Sequence, residues 1–102
     1  MNTANLQLEG LLLALSAIAG LLRSKGIVTE AELEAALAQA EKAALSDEAR
    51  PGGVSLANVE AVLFPIRYLR AAAQGRPDGS VAPFSQVATQ VGQAKRDLRR
   101  TD

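Results

Sequence analysis

Residues 6–22 read LQLEGLLLALSAIAGLL, and the way this stretch is covered decides the fold. Between Leu11 and Leu22 only Ser16 and Gly20 are not apolar. Leucine and alanine favour helix, and no run of β-branched residues competes for strand. A helix that is apolar nearly all round has to be enclosed by several neighbours or by a second chain. The remainder of the sequence is therefore read first as the material that encloses it.

Working outward, Asn2, Thr3 and Asn5 are N-cap types, and Glu9 sits near the positive end of the helix dipole. At the other end Arg23 and Lys25 occupy the last turn, and Gly26 is placed to supply the left-handed C′ residue. A membrane span takes roughly 20 mostly apolar residues, whereas Glu9 and Arg23 bracket only residues 10–22. Ala17-Ile18-Ala19 resembles a small-residue cleavage site, but residues 1–8 carry no Lys or Arg. The segment is accordingly expected to be mature, cytoplasmic protein that does not enter a membrane.

The chain of 102 residues fits one helical domain over 1–102, near the size at which a partner surface adds useful burial. Eleven basic residues balance eleven acidic ones, so nothing draws the whole molecule to phosphate backbones, and nucleic acid is not expected as a partner. Cys and His are both absent. Disulfides, thiolate zinc sites, imidazole ligands and the commonest general base go with them, and no metal or other cofactor is expected.

Thr29 followed three residues later by Glu32 forms a capping box, with Val28 and Leu33 placed as a hydrophobic staple, so a second helix is predicted from Glu30. Leu33, Leu37, Ala40 and Ala44 make its apolar stripe, while Glu30, Glu34, Gln39, Glu41 and Lys42 fall off it, onto a solvated face. Pro51 and Gly52-Gly53 break the chain within residues 46–54. Ser55 then caps a third helix reaching about Gln74, stopped by Gly75 and the Pro77-Asp78-Gly79 turn. A fourth starts near Ala82 with Pro83 in its first turn, and Phe84, Val87, Ala88, Val91 and Leu98 form its stripe. Its basic end, from Lys95 to Arg100, reads as dipole-favoured cations and a solvated tail. The fold class is all-α: four helices as two antiparallel hairpins, helices one and three central. An echo of Leu8-Glu9-x-Leu11-Leu12 in Val59-Glu60-x-Val62-Leu63 hints at the same pairing.

The third helix departs from plain packing. Pro65 lies well inside it, where it removes the bond to the Ala61 carbonyl and should bend the axis. Val59, Val62, Leu63, Ile66 and Ala73 share one face with Arg70 near its middle, and Phe64 and Tyr68 lie almost opposite. Arg70 needs an anion there, because an unpaired buried guanidinium costs several kcal/mol. Glu9 is the first internal candidate for a structural ion pair with Arg70, and Glu60 the second. The other reading has Arg67, Tyr68 and Arg70 binding an anionic ligand or nucleotide. Ser16 and Gly20 together could form a small-residue groove for close helix approach.

Residues 22–37, LRSKGIVTEAELEAAL, resemble the leucine-glycine helical hairpins in the N-terminal domains of type II secretion and pilus ATPases, some of which bind cyclic di-GMP. They also resemble a helical segment of nitrile hydratase subunits. Leu22, Gly26, Leu33 and Leu37 carry the match, which implies a local helical hairpin. Where the cyclic di-GMP motif has an arginine, a glycine and a final glutamine, this chain has Ala17, Ala19 and Ala40.

The carboxylates from Glu30 to Glu48 imply no apolar pocket that would raise a pKa, and no phosphate-cradling glycine loop is present. The expectation is a non-enzymatic helical interaction protein, self-associating as a homodimer through apolar surface on the first and third helices. An unidentified protein partner is the other way to cover that surface.

Overall fold

The computed structural model describes residues 3–46, 56–74 and 78–100. Among these the chain forms four α-helices and no strand: α1 (Thr3–Ser24), α2 (Glu30–Leu45), α3 (Leu56–Ala73) and α4 (Phe84–Arg100). The all-α expectation holds. The break at Pro51 and Gly52-Gly53, the Ser55 cap, Gly75 and Pro77, and the side chain of Leu98 lie outside the described residues.

The helix ends follow the local chemistry of the chain. Gly26 takes φ 72°, the Ile27 N–H reaches the Leu22 carbonyl at 3.0 Å and the Gly26 N–H reaches that of Arg23 at 2.9 Å. This paired closure satisfies carbonyls that the last turn of α1 would otherwise leave open. At α2 both halves of the capping box form, Glu32 N–H to Thr29 Oγ1 at 3.0 Å and Thr29 N–H to Glu32 Oε1 at 2.8 Å. The fourth helix begins slightly later than predicted: the Pro83 carbonyl accepts from the Gln86 and Val87 N–H groups, which makes Pro83 the cap of α4. Proline suits that position because no hydrogen bond is asked of its nitrogen.

The centre of the arrangement is α3, against which α1, α2 and α4 each pack. Its two apolar sides explain this, since each needs its own cover. The buried core holds Leu12 from α1, Tyr68 from α3, Ala82 from the turn before α4, and Val87 from α4. Phe84 stacks on Tyr68 with ring centroids 5.1 Å apart, and Phe64 approaches Tyr68 at 6.2 Å in a tilted arrangement. Such aromatic pairs add roughly 0.5–1.5 kcal/mol beyond area burial. No residue of α2 is fully buried, so its contact with α3 is a half-exposed one.

Gly20 and Gly79 lock the α3–α4 turn onto α1. A Cβ added to Gly20 would lie 2.5 Å from the Gly79 carbonyl oxygen, and one added to Gly79 would lie 2.6 Å from the Gly20 carbonyl oxygen. The close approach that Ser16 and Gly20 suggested is therefore real at Gly20, but what approaches is a turn and not a helix. Ser16 closes on its own helix, donating to the Leu12 carbonyl at 2.8 Å. The turn itself has Gly79 at φ 76° and is pinned by the Ser80 N–H donating to Asp78 Oδ1 at 3.0 Å.

Among the described residues the long apolar helix is covered on one side only. Leu12 and Gly20 are buried, while Leu11, Ile18 and Leu21 stay 57%, 55% and 53% exposed. The two shorter helices pack onto α3, which leaves the far side of α1 open.

Candidate functional site

Three features could carry function: a charged network between α2 and α3, an apolar cleft beside Tyr68, and the open side of α1.

Arg70, placed by sequence near the middle of an apolar face, meets carboxylates from α2. Its Nε donates to Glu34 Oε1 at 2.9 Å, its Nη2 reaches the same oxygen, and its Nη1 reaches Glu41 Oε2. Arg67 Nε donates to Glu41 Oε1 at 2.8 Å, so Glu41 bridges the two arginines. The expected Glu9 and Glu60 partners are thus replaced by Glu34 and Glu41. Glu60 belongs to Lys95 of α4 instead, which makes Lys95 a link between α3 and α4 and not part of a solvated tail. Glu9 acts on Tyr68: burial pushes the Tyr68 hydroxyl above its usual pKa, and the negative charge of Glu9 pushes the same way.

The reason lies in how α2 is rotated. The apolar spacing puts Glu34 and Glu41 on a wet face, yet the Glu41 side chain is only 15% exposed, and the packed side of α2 runs through Leu33, Leu37, Glu41 and Ala44 while Ala40 faces out. Two carboxylates seven residues apart share a helix face, and two arginines three residues apart share another. The hydrogen bond from Arg67, with the charges of Arg67 and Arg70, outweighs desolvation and holds the Glu41 carboxyl below the ordinary carboxylate range. A carboxylate with a lowered folded pKa contributes stability above its unfolded pKa and loses it as pH falls through the folded value. Glu41→Gln is expected to cost about 1–3 kcal/mol at pH 7. Urea titrations should show that cost shrinking as pH falls through the lowered folded pKa and the wild-type carboxylate is itself neutralised.

These contacts separate the three residues read as a ligand site. Arg67 and Arg70 line a groove of about 610 Å³ between α3 and α4, together with Lys95, Gln74 and Gln90. Tyr68 does not line that groove; it is buried in the core and lines a cleft elsewhere.

That second cleft has a volume of about 230 Å³ and is walled by α1, α2, α3 and the turn before α4. Leu15, Leu22, Leu33, Leu37 and Leu69 are among the apolar residues that line it. Arg23 also lines it, with a side chain only 8% exposed. Its Nη1 donates to the carbonyl of Ala73, the last residue of α3, at 2.6 Å. Arg23 therefore serves the negative end of α3 in addition to standing in the last turn of its own helix. Its Nη2 lies 3.9 Å from Glu30 Oε1, beyond hydrogen-bond length.

The open side of α1 is a regular stripe. Leu11, Ala14, Ile18 and Leu21 are all exposed and follow one another at intervals of three, four and three residues. No charged residue lies between Gly10 and Leu22. By length and composition alone α1 is also long and apolar enough to cross a membrane, the one such helix among the described residues.

Among the described residues no group of three or more His, Cys, Asp or Glu side chains could hold a metal ion. No family model, no curated protein and no solved structure matches the chain.

Proposed function

We propose that the protein is a non-enzymatic helical interaction module of the cytoplasm that pairs with a copy of itself through the open side of α1. The observation that carries this reading is the stripe of Leu11, Ala14, Ile18 and Leu21, exposed on the side of α1 away from buried Leu12 and Gly20. A three-four spacing keeps side chains on one seam of a left-handed helix pair, where each fills a gap between residues opposite. Ala14, small and central, lets the two axes come close. A two-fold interface sets the same patch against itself, and an uncharged patch meets its copy without repulsion. Sedimentation velocity at micromolar concentration tests it. A species of twice the 10.6 kDa chain mass is the expected result. A monomer throughout, or protein that leaves solution to float with lipid vesicles, overturns it.

The reading as an anionic-ligand module has less support. Arg67 and Arg70 already meet Glu34 and Glu41, Lys95 meets Glu60, and Tyr68 stands apart.

A further inference from the structure

The cleft beside Tyr68 has properties that neither self-pairing nor the core requires. Its volume of about 230 Å³ is half as large again as the ~150 Å³ apolar cavity that stays dry and takes up benzene in another protein. Its walls are leucine and alanine with few polar groups, the usual make-up of a small-molecule site. At one side stands Arg23, a nearly buried cation with one guanidinium nitrogen on the Ala73 carbonyl and the other out of reach of its nearest carboxylate. That carboxylate, Glu30, is itself half in solvent, so it compensates Arg23 weakly. A buried guanidinium held so loosely favours an additional anion.

We propose that this cleft binds a single short aliphatic chain ending in a carboxylate. The chain lies against Leu33, Leu37, Leu69 and Ala72, and the carboxylate accepts from the Arg23 guanidinium. Of the stripe on α1, Ile18 also lines the cleft, whereas Leu11, Ala14 and Leu21 do not, so a substitution at Ala14 perturbs the pairing without entering the cleft.

The protein supplies its own reporter. Tyr68 is the only tyrosine, tryptophan is absent, and Tyr68 lines the cleft, so intrinsic emission reads this site alone. Octanoate titrated into the full-length protein should change that emission saturably, and octanol should bind at least tenfold more weakly. Arg23→Gln should erase that preference, but Arg23 also closes the end of α3, so a second variant is needed. Ala36, which lines the cleft and is exposed, provides it. Ala36→Phe adds bulk at the exposed edge of the cleft and should abolish the octanoate response with helicity by circular dichroism unchanged. Absence of a saturable response, equal binding of octanol, or a response retained in Ala36→Phe overturns the assignment. Ala14→Glu, which disrupts the proposed pairing, should leave octanoate binding intact, so the two proposals fail separately.

Discussion

Gly20→Ala is expected to destabilise the protein by about 2–3 kcal/mol, lowering Tm by roughly 8 °C or more for a domain of this size. Helix propensity alone gives the opposite sign, a gain of about 1 kcal/mol for replacing a mid-helix glycine with alanine. The deciding contact is with backbone: the new methyl would lie 2.5 Å from the Gly79 carbonyl oxygen, and a carbonyl in a pinned turn has no rotamer by which to withdraw. The turn must lift off α1, and Ala82, buried three residues beyond Gly79, lifts with it. Gly10 lies in the same helix with open space around its missing Cβ. Gly10→Ala should therefore stabilise by roughly 0.5–1 kcal/mol. Thermal and urea unfolding of the two variants should move in opposite directions. Movement in the same direction would mean that the Gly20–Gly79 crossing does not govern the fold.

Ala14→Glu is expected to abolish self-association at micromolar concentration while leaving the monomer folded. Ala14 is exposed in the single chain, so a carboxylate there meets water and costs the monomer little. Paired, two such carboxylates would be pressed together in an apolar seam, and an unpaired buried charge costs several kcal/mol. At 1.4 kcal/mol per tenfold, the dimer should weaken by at least about a hundredfold. Light scattering gives the mass, and unchanged circular dichroism confirms that the helices persist. An unaltered dimer would place the contact elsewhere.

Much of the fold was legible because the signals that stop and start helices are local. Gly26 at the end of α1 and the Thr29–Glu32 box at the start of α2 each act within a few residues, and both sit where their chemistry requires. The two-sided apolar pattern of α3 likewise announced an element covered from several directions. What was not legible is rotation. Leu33, Leu37 and Ala44 fit a stripe that includes Ala40 as well as one that includes Glu41, and the long aliphatic stem of a glutamate can lie at a packing edge while its carboxylate meets an arginine. An apolar count therefore favours Ala40, which leaves Glu9 of α1 and Glu60 of α3 as the apparent partners of Arg70. Arg23 shows the same limit, since a cation in the last turn of α1 carries no mark that it also serves the end of α3, 50 residues away. The small-residue signal at Gly20 was visible, but it names a close approach without naming what approaches.

The charged network and the open stripe of α1 lie on different elements of the molecule. On one side of α3, Arg67 and Arg70 are occupied by α2, which binds the chain to itself. On the far side of α1, Leu11, Ile18 and Leu21 stand exposed, with no cover among the described residues.

Because the chain contains no cysteine, a single one can be introduced as the only reactive thiol. Ala14→Cys, treated with a bifunctional maleimide whose reach matches the ~8–10 Å between packed helix axes, tests the seam directly. The expected result is rapid, near-complete covalent dimer, with little from Gln39→Cys on the exposed side of α2. Equal cross-linking at both positions, or none at Ala14→Cys, would contradict a second copy seated on α1.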